Sequence, residues 1–272
     1  MNDLDWVDGD PVVLRAAYVA ERAPLDKTAP EDVAVSDELP RGLNGLAFTP
    51  PGAEGRAPIL YFHGGSWMLG SPGTHRALCA FLAKAARRRV LSASYPLAPE
   101  HPYPAQRDAA RAALATFEES VFIAGDSAGG AMALWAAQAD TDGVLGVATF
   151  YPAYGVLASG SIDEHGPGNP SLHSAAIAAM YARLGATGDQ VQADVPREGA
   201  PVLIIEAACD PLRDDARLLA EHMAGRGATL WTAEGEEHAF LHHGGNSPEV
   251  REWMARIGQW MDELAPEGSG TG

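Results

Sequence analysis

The sequence predicts an α/β fold with a mostly parallel sheet of about eight strands, helices on both faces and a small helical cap. Short apolar strands alternate with helical segments along most of the chain, which requires parallel strands joined by crossover helices. About fifty residues separate the strand that ends at Phe150 from the strand that begins at Pro201, more than a simple one-helix connection needs. Extra structure is therefore expected in that interval.

Apolar periodicity, interrupted by glycines and prolines, predicts the individual elements in order. We predict strands at 31–36, 41–49, 57–62, 89–94, 121–124, 144–150, 201–207 and 228–232. We predict helices at 11–22, 74–87, 103–118, 128–139, 174–184, 212–226 and 248–264. The apolar run at 57–62 is continuous, which is typical of a strand whose two faces are both covered by helices.

These elements divide the chain into a core, two cap segments and a tail. The core is predicted at 31–152 and 196–265, with an N-terminal cap segment at 1–30 and a cap insertion at 153–195. The tail at 266–272 is expected to be disordered. The apolar face of helix 174–184 could cover a site at the sheet edge, and the same pattern also fits a helix that only packs on the sheet.

Charge and cysteine content argue against several classes of function. The formal net charge is −17, so nucleic acid and anionic membrane surfaces would be repelled, and acidic substrates are disfavoured as well. Cys79 and Cys209 are the only cysteines, too few for a disulfide framework or a cysteine-based metal site. The acidic N-terminus and the absence of a long apolar run favour a cytoplasmic protein without a membrane span.

A serine lies at the bend between the predicted strand 121–124 and the helix that follows it. Gly125-Asp126-Ser127-Ala128-Gly129 fits the pattern G-x-S-x-G, in which a sharp strand-to-helix turn lifts the serine hydroxyl above the sheet. The two glycines allow the tight turn and a close approach of the helix. The backbone N–H of Ala128 then faces the position where an oxyanion would develop.

The carboxyl ends of the other predicted strands supply matching chemistry. A glycine-rich loop follows Phe62, Asp210 follows the strand at 201–207, and His238 follows the last strand. Because ligands bind beyond the carboxyl ends of parallel strands, these groups are expected to meet Ser127 there. A nucleophile, a base, a carboxylate that orients the base and N–H donors are the groups that acyl transfer requires.

Longer motifs around these residues make the pattern specific. The segment YFHGGSW at 61–67 resembles an HGGGW loop, YPLAPEHPYPA at 95–105 resembles a YRLAPEHPFPA block, and 125–130 reads GDSAGG. DPL at 210–212 and HAF at 238–240 resemble the acid and base motifs that follow. In these motifs the chain is similar to the hormone-sensitive-lipase-like (bacterial family IV) carboxylesterases of the α/β-hydrolase superfamily, over roughly residues 57–243.

This resemblance implies a serine carboxylesterase of α/β-hydrolase fold that acts on short-chain esters through an acyl-enzyme intermediate. It assigns the catalytic roles to Ser127, Asp210 and His238, and the oxyanion hole to Gly64, Gly65 and Ala128. No cofactor and no metal are implied; the expected partner is a small-molecule ester, and a homodimer is allowed. Two positions depart from the family pattern, since Ser66 replaces a third glycine and Pro96 replaces an arginine.

Several of these residues have competing interpretations. Asp210 could also cap the helix that follows it, and Asp214 and Asp215 compete for the role of the acid. His242 and His243 compete with His238 as the base. His238 and His242 have the i, i+4 spacing of a zinc-binding helix, but Ala239 stands where the metalloprotease motif has its glutamate.

The substrate pocket is the least determined part of the site. Ser66, Trp67, Tyr154, Met180 and Tyr181 are candidate pocket residues, and the four larger ones could equally be core residues. An amidase or arylformamidase would use the same triad, and a receptor of the same fold would bind a small ligand without turnover. Retention of all three triad residues argues against the receptor.

Overall fold

The structure, a computed structural model, describes residues 4–138 and 143–265. Within them, eight strands form one sheet: β1 (Ala34–Ser36), β2 (Gly45–Thr49), β3 (Ile59–Phe62), β4 (Val90–Ala93), β5 (Val121–Asp126), β6 (Val144–Phe150), β7 (Val202–Cys209) and β8 (Thr229–Glu237). Their order is β1-β2-β4-β3-β5-β6-β7-β8. The pairs β1–β2 and β2–β4 are antiparallel and the other neighbours are parallel. This confirms the predicted fold.

Nine α-helices lie in the described residues: α1 (Pro11–Asp26), α2 (Arg76–Ala86), α3 (Ala105–Leu114), α4 (Ala128–Ala137), α5 (Gly160–His165), α6 (Ser174–Leu184), α7 (Gly188–Ala193), α8 (Arg213–His222) and α9 (Pro248–Leu264). Short 3₁₀ helices occupy Pro72–His75, Ala224–Arg226 and Phe240–His243. Buried residues of α2 and α9 form one core on one face of the sheet. Those of α3, α4, α6 and α8 form a second core on the other face.

Pairing between the strands sets the geometry of the sheet edge. Phe62 pairs with Gly125 and Asp126 pairs with Phe150, so β3, β5 and β6 end side by side. Cys209 pairs with Glu237 at the ends of β7 and β8. The residues that directly follow these five strand ends are thereby brought to one edge of the sheet.

The helix α1 and the strand β8 are longer than the sequence pattern predicted. Helix α1 continues through Pro24 to Asp26, so this proline in the last turn does not end the helix, although it cannot donate a hydrogen bond to the carbonyl four residues earlier. Strand β8 continues to Glu237, although its last residues are polar and lack the apolar signal of a buried strand. Element boundaries thus depend on tertiary pairing as well as on local pattern.

The interval 153–195 contains three helices where only α6 was predicted. Helix α5 begins after Ser159, whose side chain accepts the N–H of Ile162. Helix α7 begins with a capping box between Thr187 and Gln190. Each of these two helices has only six residues, too short for apolar periodicity to reveal.

Some predictions fall outside the described residues. These are the tail at 266–272, the first three residues of the predicted N-terminal cap segment 1–30, and the last residue of the predicted helix 128–139. Among the helices of the described ranges, none is both long and apolar enough to cross a membrane.

Candidate active site

Ser127 lies on a sharp turn between β5 and α4. Its backbone angles are φ 53° and ψ −121°, an unfavourable conformation for a residue with a side chain. The surrounding packing holds it there, since the Ser127 N–H donates to the Phe150 carbonyl at 2.8 Å. A Cβ atom on Gly129 would lie 2.1 Å from the Phe62 carbonyl oxygen, so only glycine permits this contact between α4 and β3.

Ser127, His238 and Asp210 are joined by hydrogen bonds in the order that acyl transfer requires. The distance from His238 Nε2 to Ser127 Oγ is 3.1 Å, and that from His238 Nδ1 to Asp210 Oδ2 is 2.7 Å. Asp210 is fully buried, whereas the His238 side chain retains 14% exposure. The three predicted residues therefore meet at the sheet edge.

The competing carboxylates are directed elsewhere. Asp214 Oδ2 accepts the N–H of Ser161 at 3.0 Å, and Asp215 Oδ1 accepts the N–H of Tyr154 at 2.5 Å. Asp210 does not cap α8, whose N-cap residue is Leu212 and has no side-chain cap; its other oxygen, Oδ1, accepts the N–H of Leu212 at 2.8 Å in the turn before the helix. The hydrogen bond to His238 thus distinguishes Asp210 from its neighbours.

The zinc-helix interpretation of His238 and His242 does not match the geometry. The residues Phe240–His243 form a short 3₁₀ helix that begins after Ala239, whose φ is 66°, so an α-helical i, i+4 arrangement is not formed. Both ring nitrogens of His238 contact triad partners, while His242 Nε2 lies 3.4 Å from Asp126 Oδ2. The two imidazoles therefore serve different sites.

The glycine-rich loop after β3 requires one correction to the predicted oxyanion hole. The N–H of Gly64 donates to Asp126 Oδ1 at 2.9 Å and lies 3.2 Å from His75 Nε2, so it is already engaged inside the protein. Gly65 and Ser66 are partly exposed, and the Gly65 carbonyl accepts the N–H groups of Met68 and Leu69. Within the described residues, the N–H groups of Gly65 and Ser66 have no hydrogen-bond acceptor in the protein.

Asp126 is the centre of a buried polar cluster that the sequence analysis missed. Its Oδ1 also accepts the hydroxyl of Tyr61 at 2.6 Å, and its Oδ2 faces His75 Nε2 at 3.3 Å and His242 Nε2 at 3.4 Å. Burial alone would raise the pKa of Asp126, but the charges and hydrogen bonds of the two imidazoles hold it well below its ordinary value. Burial also lowers the pKa of His242 well below that of a free imidazole.

This cluster is also where the described residues could best hold a metal ion. One ligand atom each from His75, Asp126 and His242 lie within 4.8 Å of one another, and all three side chains are buried. Hydrogen bonds already engage both oxygens of Asp126, and the imidazoles act as their partners. The side chains of His75, Asp126 and His242 are therefore already joined to one another by hydrogen bonds through Asp126.

Four of the predicted pocket residues are buried in the protein core. Trp67 is fully buried, with its ring centroid 6.1 Å from that of Trp135 and 5.5 Å from that of Tyr181. Met180 and Tyr181 belong to the same core, on α6. Of the five candidates, Ser66 is the one with partial exposure beside the oxyanion loop.

Tyr154 faces away from the triad, towards α8. Its hydroxyl lies 2.8 Å from His222 Nδ1, and its side chain lines a cavity of about 300 Å³ together with Gln192, Arg197 and Met223. The core interpretation therefore fits Tyr154 better than a place in the wall of the Ser127 site. Tyr151, which the sequence analysis did not consider, packs edge-on against His238 with ring centroids 5.0 Å apart.

Comparison with known proteins identifies the family of the fold. Residues 59–242, more than half of the chain, match a protein family described by its alpha/beta hydrolase fold. The chain is 29% identical over 242 residues to esterase LipI of Mycobacterium tuberculosis, covering 73% of this chain and 70% of that protein.

Two solved structures are similar over nearly their whole length. An esterase of Pyrobaculum calidifontis superposes with a TM-score of 0.85 at 28% identity, covering 95% of this chain and 94% of the other. An esterase of the bacterial hormone-sensitive lipase family gives a TM-score of 0.84 at 26% identity, covering 94% and 92%. The protein belongs to the α/β-hydrolase fold family, and within it to the hormone-sensitive-lipase-like group.

Proposed function

We propose that the protein is a serine carboxylesterase that hydrolyses short-chain esters through an acyl-enzyme intermediate. The observation that carries this proposal is the continuous hydrogen-bonded path from Asp210 through His238 to Ser127. The named relatives support it, because those described above are esterases.

In the first half-reaction, Ser127 Oγ attacks the carbonyl carbon of the ester while His238 Nε2 takes the hydroxyl proton. Asp210 keeps the proton of His238 on Nδ1, so that Nε2 is free to accept, and it stabilises the imidazolium that forms. His238 then gives its proton to the departing alcohol. Water repeats the sequence on the acyl-enzyme and releases the carboxylic acid.

The oxyanion that develops in both halves needs N–H donors on the side opposite the base. Ala128 and Gly65 supply two of them, since the first lies at the start of α4 and the second opens the loop turn. Ser66 replaces Gly64 as the third donor, because the Gly64 N–H is bound to Asp126. The side chain at position 66 is irrelevant to this role, since the donor is the backbone.

A short acyl chain is favoured by the way the cap segments pack. The rings of Trp67, Trp135 and Tyr181 fill the space between the oxyanion loop and α6. A longer chain would have to displace them or remain in water, and each buried methylene it gained would contribute only about 0.8 kcal/mol. We propose that α1 and the segment 153–195 together act as the cap, and that the enzyme acts in the cytoplasm on small uncharged esters.

The proposal is tested by turnover of p-nitrophenyl esters from acetate to decanoate, with Ser127→Ala as the control. The expected kcat/KM is highest at about two to six carbons, the range that a modest pocket admits. A matched nitroanilide separates the esterase from an amidase with the same triad. Faster cleavage of the anilide, or a steady rise of kcat/KM up to decanoate, would contradict the proposal.

A further inference from the structure

The Asp126 carboxylate lies directly before Ser127 in the chain and is buried with 2% of its side chain exposed. An ionised group in such a place is unfavourable unless several donors surround it. Here the hydroxyl of Tyr61 and the N–H of Gly64 donate to it, and the Nε2 atoms of His75 and His242 lie 3.3 and 3.4 Å from its Oδ2. Such complete pairing indicates a carboxylate with a specific structural task at the site.

One of these partners belongs to the oxyanion loop. Gly64 is the residue immediately before Gly65 and Ser66, whose N–H groups we assign to the oxyanion hole. The contact is tight as well as polar, since a Cβ atom on Gly64 would lie 2.6 Å from Asp126 Oδ2. The position of the loop therefore depends directly on the position of this carboxylate.

A second partner belongs to the loop that carries the base. His242 follows His238 by four residues, within the 3₁₀ helix Phe240–His243. Its ring packs against that of His75, with centroids 4.7 Å apart, and both rings face the same oxygen of Asp126. One carboxylate therefore connects the nucleophile turn, the oxyanion loop and the base loop.

We propose that Asp126 is a positioning residue, which acts as an ionised tether that keeps the oxyanion loop and the base loop in register with Ser127. This inference rests on the proposed esterase function. Oxyanion donors must lie within about 2.7–3.1 Å of the oxygen that becomes charged, so a small displacement of the loop weakens the transition state. Ground-state binding of the ester needs no such precision, and kcat should therefore fall with little change in KM.

The test compares Asp126→Ala and Asp126→Asn with the wild-type enzyme. Alanine removes every hydrogen bond of the tether, whereas asparagine retains an acceptor for Tyr61 and Gly64 and loses the charge. We expect Asp126→Ala to lower kcat by about 10²-fold, close to the loss of one oxyanion donor, and Asp126→Asn to lower it by about 10-fold. KM should stay within about three-fold of wild type in both variants.

A second readout separates positioning from general stability. A trifluoromethyl ketone adds to Ser127 Oγ and places a negatively charged oxygen in the oxyanion hole, so its inhibition constant reports the hole directly. We expect this constant to rise by the same factor as kcat falls. Glu206→Gln is the matched control, because Glu206 is also a buried carboxylate but pairs with Arg217 and Thr232. The control should leave both kcat and the inhibition constant unchanged, whatever it does to the melting temperature.

The outcomes distinguish a failure of the Asp126 proposal from a failure of the esterase proposal. Suppose that wild-type protein hydrolyses esters and both Asp126 variants keep kcat and ketone affinity within about three-fold of wild type. The positioning role of Asp126 is then wrong, and the proposed esterase activity is unaffected. If wild-type protein neither hydrolyses esters nor binds the ketone, the esterase proposal itself fails. Should Asp126→Ala not fold, Asp126→Asn decides the question, because its amide has nearly the size and shape of the carboxylate.

Discussion

The two loops that flank Ser127 are held in place in different ways. On the base side, Asp210 and His238 follow neighbouring strands that end together, and each contacts its catalytic partner directly. On the oxyanion side, the donors are backbone groups of a loop, and the buried carboxylate of Asp126 accepts a hydrogen bond from the Gly64 N–H of that loop. The first arrangement is set by sheet register and the second by a side-chain network. Substitutions on the two sides should therefore lower kcat to different degrees and for different reasons.

The base side should show the largest effect. Since nucleophile and base act as one unit, Ser127→Ala and His238→Ala should each lower kcat on the order of 10⁴- to 10⁶-fold, leaving the residual contribution of the oxyanion hole. Steady-state kinetics on p-nitrophenyl acetate measure this loss. A variant that kept more than about a tenth of the wild-type rate, a change below about 1.4 kcal/mol, would remove that residue from the mechanism.

The oxyanion side should show an intermediate effect in the variant Gly64→Ala. The added methyl group would lie 2.6 Å from Asp126 Oδ2 and 2.9 Å from the Asp126 carbonyl oxygen, so the loop must shift away from Ser127. We expect kcat to fall by about 10²-fold, because at least one donor leaves its position.

Gly225→Ala provides the control for this substitution, since a Cβ atom there would meet nothing within 4 Å. It should leave kcat unchanged. An equally small effect of Gly64→Ala would mean that the contact between the loop and Asp126 does not set the geometry of the hole.

Another buried carboxyl, Asp215 on α8, sharpens the comparison because its substitution should affect stability and not chemistry. Burial raises the pKa of Asp215 to about 8. In the unfolded chain an aspartate ionises near about pH 4, so between these values unfolding releases a proton and stability falls as the pH rises. Asparagine does not titrate. The melting temperature of Asp215→Asn relative to wild type should therefore increase from pH 5 to pH 8.

Thermal unfolding across this pH range measures the effect, and the exposed residue Asp37 supplies a control through Asp37→Asn. Parallel curves for wild type and Asp215→Asn would contradict the assignment of a neutral buried carboxyl. Loss of kcat in the folded variant would place Asp215 in the catalytic machinery instead.

Ser66→Gly should have the smallest effect. The backbone N–H that we assign to the oxyanion hole remains, and the φ of 57° at this position suits glycine at least as well as serine. Acetate turnover should stay within a few-fold, while the removed side chain shifts the optimum towards bulkier substrates. The ratio of kcat/KM for a branched and a linear ester measures this shift, and loss of acetate hydrolysis would show that the serine side chain itself takes part.

The base side could be predicted from the sequence because its residues directly follow apolar strands. Ser127, Asp210 and His238 were placed by the rule that parallel strands end together, and the register of β5 to β8 brings them within hydrogen-bond distance. The sheet itself was predicted for the same reason, since a continuous apolar run such as β3 is a strong local signal.

The oxyanion side could not be predicted in the same way. Gly64 and Asp126 are 62 residues apart, and their hydrogen bond depends on the direction of one carboxylate below the nucleophile turn. His75 and His242 join the cluster from two short 3₁₀ helices, and no local pattern relates them. A glycine-rich loop predicts that N–H groups are available, but only the packing behind the loop decides which of them is already used.

The most direct measurement is covalent labelling of the nucleophile with diethyl p-nitrophenyl phosphate. Ser127 Oγ should attack phosphorus and expel one nitrophenolate, and the stable phosphoryl-enzyme then stops the cycle. We predict that activity is lost in proportion to one phosphoryl group per chain, found by mass spectrometry on Ser127, and that Ser127→Ala is not labelled. Labelling of another residue with equal loss of activity, or full activity after Ser127 is labelled, would contradict the account.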